Sequence, residues 1–287
     1  MQQNARPPIS LRRAAELAER GLEAVAGRRN VVRASRFVLD RARLDGPNQI
    51  EANGELMVQR LVLRARGPQA VNVIDVGAHF GEWSGHLLRQ AREYEVLLSL
   101  HVLEPSAYTF GRLTEALAPP TDAVHLNHMA VSSASGMAFL HKPQEGAGSS
   151  SLYEHPQLEN ATEEVSLTTL EEYCAQRGIE HVHLLKVDAE GHDLEVLEGG
   201  RRLFADGRVD LAQFEYNARW VDARHYLRDA FEFAEALDYR IGKVTPRGVE
   251  FYGTWHPELE SFKEGNYVLI RRTLDDHDIE AVTWWGP

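Results

Sequence analysis

Two amphipathic stripes open the chain before any strand pattern appears. Apolar residues recur at helical spacing from Leu11 to Val25 and again from Val31 to Ala42, with Gly27 between the stripes. Gly46-Pro47 ends the second stripe, because proline cannot continue a helix. The pattern predicts an N-terminal helical extension over residues 1–47. Such an extension usually packs on its own domain or on a second copy of the chain and only sometimes covers a substrate, so a homodimer through these helices is one of the arrangements the pattern allows.

From residue 48 onwards, short β-branched runs alternate with helical stripes, which predicts a parallel sheet with crossover helices on both faces. Strands are expected at residues 71–76, 98–103, 124–131, 182–187 and 209–214, and helices at 55–63, 108–117, 170–176, 192–204 and 222–237. Two further strands, 239–244 and 267–271, are separated by a loop, so one antiparallel strand is expected.

These patterns divide the chain into three predicted parts: the helical extension, an α/β domain over residues 48–273 and a C-terminal tail over 274–287. Residues 142–164 are rich in glycine, serine and glutamate and read as a long mobile loop. Long loops over open sheets often carry function.

Charge and composition exclude several classes of protein. The net charge of −12 repels a phosphate backbone, so we expect no nucleic-acid partner. No apolar run is long enough for a membrane span, and the first eight residues lack the apolar core of a secretory signal, so we expect a cytoplasmic protein without a membrane partner. The lone Cys174 excludes an internal disulfide and a cysteine-based zinc site.

A glycine turn follows the first predicted strand of the domain, in the run Asp75-Val76-Gly77-Ala78-His79-Phe80-Gly81. Glycines let the backbone turn tightly near a ligand, and the next helix offers its N-terminal N–H groups to an anion. The spacing departs from G-x-G-x-x-G, and the acid Asp75 would lie poorly against a pyrophosphate. The turn therefore favours S-adenosylmethionine (SAM), which has an ammonium for Asp75 and a carboxylate for the helix.

An acidic residue, Glu104, ends the second strand just before Pro105, where it can accept hydrogen bonds from both ribose hydroxyls. SAM and NAD sites share this arrangement, so Glu104 does not choose between them. The end of the third strand is the expected place for adenine contacts. The candidate cofactor-binding residues are Glu55, Asp75, Gly77, Ala78, His79, Phe80, Gly81, Glu104, Pro105, Asn127, Ala130 and Asp188.

Several of these segments resemble the FkbM-type methyltransferase family. They are Asn53-Gly54-Glu55, the glycine turn, the run from Val165 to Leu170 and, most specifically, the run from Lys186 to Gly199. The resemblance covers roughly residues 53–271 and implies a class I methyltransferase fold with a seven-stranded sheet and SAM as methyl donor. It also implies a hydroxyl oxygen as the usual acceptor, on sugars or polyketide-type natural products.

Methyl transfer to an alcohol needs alignment and a base that removes the hydroxyl proton. The candidate catalytic residues are Asp188 and His192, at the end of the fourth strand, and Glu215, at the end of the fifth. His192 has a pKa naturally suited to a base, although a histidine in a first helical turn equally often caps or packs. Glu190 is expected to cap the helix.

Alternatives remain open at this stage. Asp188 and Glu215 together suit a divalent cation, but direct hydrogen bonding to substrate or cofactor is the preferred interpretation, so we assign no metal site. His125, His128, His181 and His183 have no third ligand at suitable spacing and read as structural. The chain could also be an NAD-dependent oxidoreductase or a non-catalytic SAM-binding partner on the same fold.

Overall fold

The computed structural model describes residues 9–46, 48–64, 70–118, 123–154, 161–273 and 281–283. Its helices are α1 (Ile9–Ala26), α2 (Arg28–Ala42), α3 (Ile50–Asn53), α4 (Glu55–Arg64), α5 (Glu82–Glu93), α6 (Ala107–Ala116), α7 (Leu170–Arg177), α8 (Asp193–Glu198), α9 (Arg201–Ala205) and α10 (Leu227–Ala236). Its strands are β1 (Val71–Val76), β2 (Leu98–Leu103), β3 (Val124–Asn127), β4 (Ala130–Val131), β5 (Gly136–Lys142), β6 (Ala161–Thr168), β7 (Val182–Val187), β8 (Val209–Tyr216), β9 (Tyr239–Thr245), β10 (Gly248–Tyr252), β11 (Gly265–Arg271) and β12 (Ala281–Val282).

A mixed sheet of nine strands forms the centre of the protein, in the order β12-β10-β9-β11-β8-β7-β1-β2-β3. The five strands from β3 to β8 are parallel. Strand β11 lies antiparallel between β8 and β9, as the loop connection predicts. The α/β prediction, with seven strands and one of them antiparallel, is therefore confirmed for the sheet from β3 to β9.

Two strands extend that seven-stranded core at its far edge. Strand β10 pairs antiparallel with β9, and β12 then pairs parallel with β10. Two residues of the predicted C-terminal tail, Ala281 and Val282, therefore belong to the sheet. Trp284 and Trp285 lie outside the described residues.

The two faces of the sheet are packed by different helices. Strand side chains alternate between faces, so the neighbours Val73 and Ile74 are both fully buried but belong to different core clusters. The cluster with Ile74 includes residues of α7, α8, α9 and α10, whereas the cluster with Val73 includes residues of α4, α5 and α6. Strands buried on both faces explain the continuous apolar runs in the sequence.

A second, three-stranded sheet, in the order β4-β6-β5, corrects two sequence expectations. The strand predicted over residues 124–131 is two strands, because β3 joins the large sheet and β4 joins the small one. The predicted loop over residues 142–164 begins with the end of β5 and ends inside β6, and these two strands pair antiparallel.

Two predicted helices also differ from the observed ones. The helix expected over residues 192–204 is divided at Gly199 into α8 and α9. A Cβ at Gly199 would lie 2.1 Å from the carbonyl oxygen of Ser132, so the chain packs there too closely for any side chain. The helix expected from residue 222 begins only at Leu227, after a short 3-10 helix, Ala218–Val221.

Helices α1 and α2 form as the stripes predict, but their apolar residues remain exposed. Helix α2 has no buried residue, and Val25 of α1 is 90% exposed. No helix in the described part of the chain is both long and apolar enough to cross a lipid bilayer.

Candidate active site

Two adjoining cavities open at the carboxyl ends of β1, β2, β7 and β8, where ligands of open α/β sheets collect. The first has a volume of about 60 Å³ and the second about 520 Å³. Five residues line both cavities and form the wall between them: Gly77, His79, Gly148, Asp188 and Glu190.

The glycine turn between β1 and α5 brings the backbone close to the end of β7. Gly77 has a φ of 76°, and a Cβ there would lie 1.9 Å from the carbonyl oxygen of Asp188. Only glycine tolerates both this backbone conformation and this contact. Helix α5 then begins at Glu82 without a side-chain cap, so its first N–H groups are available to an anion.

Asp75 lies at the base of the larger cavity and is 1% exposed. Its carboxylate accepts a hydrogen bond of 2.6 Å from the Ser84 hydroxyl, and in the sheet it stands opposite Lys186. Burial raises the pKa of Asp75 to about 6, although Ser84 and Lys186 lower it in part. A cationic ligand would favour its ionised form, as the ammonium of SAM would.

Glu104 lies beside the smaller cavity and is held by two backbone groups. Its oxygens accept hydrogen bonds of 3.0 Å from the N–H groups of His79 and Ser106. Each oxygen retains a lone pair for a further donor, such as a ribose hydroxyl. Burial raises the pKa of Glu104 to about 7. The neighbouring walls are apolar and suit an adenine ring: Pro105, Met129, Ala130, Val131 and Leu140.

Residues 143–154, which we name the cover segment, close the smaller cavity from above. Ala147, Gly148, Ser150 and Leu152 line that cavity. The segment is fixed to the site itself, because the Ser151 hydroxyl donates to the carbonyl of Glu190 at 2.7 Å. A space of about 60 Å³ is too small for a nucleoside, so the cover segment has to move before one enters.

The larger cavity has an acidic lining with a single cationic side chain, Lys186. The lysine Nζ lies 2.9 Å from Asp188 Oδ2. Burial alone would lower the pKa of Lys186, but Asp188, Glu55 and Asp75 outweigh it and keep the lysine protonated. Glu55 is fixed by Asn53 and Gln213, which donate to its two oxygens at 2.6 Å each.

Glu190 and Glu215 face the same cavity, and burial favours the protonated form of both carboxyl groups. Burial raises the pKa of Glu190 to about 8, helped by repulsion from Asp188 and Asp193. Burial also raises the pKa of Glu215 well above its usual value. Glu190 has a left-handed φ of 50°, which is uncommon for glutamate and often found at functional sites. A carboxyl group that titrates near pH 8 can accept a proton under ordinary conditions.

His192 lies at the smaller cavity, not at the acidic one. Its Nε2 lies 2.9 Å from the Ser132 hydroxyl and its Nδ1 lies 3.2 Å from the Tyr153 hydroxyl. Burial lowers its pKa. With both ring nitrogens engaged by hydroxyl groups, this geometry favours a structural bridge over the general base expected from the sequence.

The cap expected from Glu190 is not formed, because the N-cap of α8 is His192 and the helix has no side-chain cap hydrogen bond. The Asp193 oxygens accept from the backbone N–H groups of Ala189, at 3.3 Å, and Gly191, at 3.1 Å. This leaves Glu190 free of a capping role and turned to the cavity.

Most of the sequence candidates meet at the two cavities. Asn127 does not, because its amide nitrogen lies within hydrogen-bond distance of the Val102 and His125 carbonyls and the Tyr173 hydroxyl, and its oxygen accepts from Arg177 at 2.7 Å. Gly81 also lies outside the lining, at the start of α5. The candidates that line a cavity are Glu55, Asp75, Gly77, Ala78, His79, Phe80, Glu104, Pro105, Ala130, Asp188, His192 and Glu215.

Three groups of described side chains have metal-like spacing, one of them the largely exposed set Glu51, Glu82 and His86. Asp188, Glu190 and Glu215 place oxygens within 4.8 Å of one another at the cavity. At the opposite end of β7, Asp210 lies within the same distance of His181 and His183. The spacing of residues in the sequence did not reveal this third side chain. Asp210 is 3.0 Å from Arg271, which supplies the positive charge that a metal would otherwise bring.

The family profile described as Methyltransferase FkbM domain matches residues 75–241, more than half of the chain. The chain belongs to the FkbM methyltransferase family. The matched region contains the glycine turn, the smaller cavity and most of the acidic lining, so most of the site described above lies within the FkbM domain. The family implies a SAM-type cofactor. The described residues suit such a cofactor: the Asp75 and Glu104 carboxylates, the apolar lining of the smaller cavity and the uncapped start of α5.

Solved structures similar to this chain include an FkbM methyltransferase from Methylobacillus flagellatus, 14% identical, with a TM-score of 0.46, covering 71% of this chain and 45% of that one. The chain thus spans less than half of that protein. Precorrin 8w decarboxylase from Methanobacterium thermoautotrophicum is 13% identical over 78% of this chain and 91% of its own, with a TM-score of 0.39. TrmK from M. capricolum, solved with S-adenosyl-homocysteine (SAH), is 7% identical over 77% and 70%, with a TM-score of 0.38. No curated protein matches the sequence.

Proposed function

We propose that this protein transfers a methyl group from SAM to a hydroxyl group of a small molecule. The observation that carries the proposal is the shared wall between the cavities. Once the cover segment has moved, the smaller cavity suits the adenosine of SAM in its lining, and the larger one has room for an acceptor beside Asp188 and Glu190. A methyl group held at this wall would face both compartments.

The residues of the wall supply what alcohol methylation requires. When bound, SAM provides a methyl group on a positively charged sulfur. As the acceptor oxygen bonds to the methyl carbon, the carbon–sulfur bond breaks, SAH is left, and the hydroxyl proton passes to a base. Glu190, with a pKa of about 8 and a position on both cavities, is the best placed base.

Asp188 and Lys186 have positioning roles in this proposal. Their ion pair of 2.9 Å holds the Asp188 carboxylate at the wall, where its second oxygen can accept from an acceptor hydroxyl. The cover segment excludes water from the adenosine side, which protects the reactive sulfonium.

The lining of the larger cavity limits the acceptor. Its carboxylates outnumber its single lysine, so an acceptor carrying phosphate or carboxylate would be repelled. Hydroxyl groups are suitable, because they donate hydrogen bonds to carboxylates. A hydroxylated sugar or polyketide-type compound meets this requirement.

The direct test is transfer of a labelled methyl group from SAM to a panel of neutral hydroxylated sugars and polyketide-type compounds, with phosphorylated sugars as matched controls. We expect label in neutral acceptors and little in phosphorylated ones. Calorimetry with SAH should show binding in the same preparation. Binding of NAD without any response to SAM or SAH would contradict the proposal, as would SAH binding without transfer to any hydroxyl.

A further inference from the structure

A third cavity, with a volume of about 210 Å³, lies beside the larger cavity of the active site. Asn48 lines both of these cavities, so it stands at their junction. In the sheet, Asn266 of β11 in the third cavity is the direct cross-strand partner of Glu215 of β8 in the larger one. The Cβ atoms of such a pair lie roughly 4.5–5.5 Å apart on the same face, so the two cavities are close neighbours.

The lining of the third cavity is mainly polar. Among its described lining residues, only Val244 has a large apolar side chain. Amides and charged groups supply both hydrogen-bond donors and acceptors, and an apolar ligand would take water from these groups without replacing it. The lining therefore favours a ligand rich in hydroxyl groups, which both donate and accept. The polar lining residues are Asn48, Asn53, Lys243, Glu264 and Asn266.

The side-chain amide of Asn266 is buried, but only its oxygen is used. The residue is 7% exposed, and its Oδ1 accepts a hydrogen bond of 3.0 Å from Gln213 Nε2. That nitrogen also donates to Glu55 at 2.6 Å, which fixes the orientation of the Gln213 amide. Asn266 therefore turns its oxygen to Gln213, and its Nδ2 donates to no other described residue. A donor buried in this way is unfavourable unless it finds an acceptor, which a ligand in the third cavity would provide.

Lys243 supplies a second donor to the same cavity. An ammonium group has three N–H donors, and two of them are used by the Asp45 carboxylate and the carbonyl of Arg43. One N–H is left for a ligand. Because Asp45 pairs with the lysine and Glu264 lies in the same lining, the cavity does not favour an anionic ligand.

We propose that the third cavity binds a second, neutral sugar ring, joined by a glycosidic bond to the ring that is methylated in the larger cavity. The inference rests on the proposed function, and it favours a saccharide over a polyketide-type compound as the acceptor. The second ring would accept hydrogen bonds from Asn266 Nδ2 and Lys243 Nζ, and the linkage would pass Asn48. These three residues would determine specificity by binding the ring that does not react.

Kinetics of labelled-methyl transfer with matched acceptors test this subsite. Methyl glycosides of glucose, galactose and mannose are compared with disaccharides that carry the same terminal ring, for example methyl glucoside with methyl maltoside and methyl cellobioside. Each additional hydrogen bond is worth about 3–10-fold in affinity. Two of them should raise kcat/KM for the preferred disaccharide by on the order of 10–100-fold over its monosaccharide.

Two variants connect this preference to the third cavity. Asn266→Ala and Asn48→Ala should each lower the ratio of the disaccharide kcat/KM to the monosaccharide kcat/KM by about 3–10-fold. Asn266→Ala also removes an acceptor of Gln213, but a purely structural loss would lower both kcat/KM values and leave their ratio unchanged. Asn48 is exposed and hydrogen-bonds to no described residue, so its replacement avoids that complication. Asn30→Ala, the same change on the exposed helix α2, is the control and should leave the ratio unchanged.

Equal kcat/KM values for monosaccharides and disaccharides in every series would overturn the inference. A ratio that neither variant lowers would do the same, as would methyl transfer confined to polyketide-type acceptors without sugar rings. Methyl transfer persists in each of these cases, so the proposed function would stand. Absence of transfer to every hydroxylated compound would instead contradict the proposed function, and this inference with it.

Discussion

Gly77→Ala is the sharpest single test of the glycine turn, because the structure shows what a methyl group would meet there. Its Cβ would lie 1.9 Å from the carbonyl oxygen and 2.8 Å from the carbonyl carbon of Asp188, and neither atom can move without shifting the end of β7. The backbone φ of 76° adds strain for any residue with a side chain.

The expected magnitude follows from these two contributions. Left-handed backbone costs an L-residue roughly 1–2 kcal/mol, and overpacking typically adds about 1–3 kcal/mol. We therefore expect Gly77→Ala to lower the free energy of unfolding by about 2–5 kcal/mol in urea titrations. Because the displaced Asp188 forms the wall of both cavities, SAH affinity measured by calorimetry should fall by at least ~30-fold, or about 2 kcal/mol.

Gly85→Ala, in the helix that follows the glycine turn, is the matched control. It makes the same chemical change in helix α5, where the nearest atom to the new Cβ is an Arg89 side-chain nitrogen at 3.6 Å. Alanine is favoured over glycine in a helix by about 1 kcal/mol, so the control should be neutral or slightly stabilising. If Gly77→Ala binds SAH within threefold of the native protein and unfolds at the same urea concentration, the role given to the turn is wrong.

Three further predictions concern the carboxyl groups and the polar core. Glu190→Gln should lower kcat by about 10²–10⁴-fold with unchanged SAH affinity, whereas His192→Ala should affect thermal stability more than turnover; equal losses of kcat would refute Glu190 as the base. Asn127→Ala should lower the free energy of unfolding by about 2–3 kcal/mol and leave SAH affinity unchanged, and the reverse pattern would restore the adenine contact expected from the sequence. Because burial raises the pKa of Glu104 to about 7 and of Glu190 to about 8, the folded state holds protons that an unfolded chain releases near pH 4.5, so the stability they contribute is lost as pH rises. The melting temperature without cofactor should accordingly fall from pH 6.5 to 8.5, and a rise over that interval would contradict the burial of these groups.

The fold was largely predictable because its signals are local. Runs such as Val71–Val76 are apolar and β-branched, which predicts buried strands. The two glycines that follow predict a tight turn at the end of the strand. The break at Gly199 could not be predicted, since its cause is a carbonyl of Ser132 that is distant in the sequence. Strand β6 was not predicted because most of its residues are exposed or half-buried, so it has no continuous apolar run. Its position depends on its antiparallel pairing with β5.

The positions of the predicted site residues can be compared with the structure, whereas their roles stay predictions. Strand ends located Asp75, Glu104, Asp188 and Glu215 correctly at the cavities, because topology alone brings the ends of parallel strands together. Roles depend on hydrogen-bond partners, which sequence does not reveal. His192 has the right ordinary pKa for a base, but two hydroxyl groups hold its ring.

The cover segment has a consequence for turnover. The Ser151 hydroxyl in this segment donates a hydrogen bond to the backbone carbonyl of Glu190. The residue proposed to take the proton therefore also holds the segment that closes the smaller cavity. In the proposed reaction, this hydrogen bond would break in each cycle so that SAH can leave and the next SAM can bind. The value of kcat would then equal the rate at which the cover segment opens. It should fall in viscous solvents even when methyl transfer itself is fast.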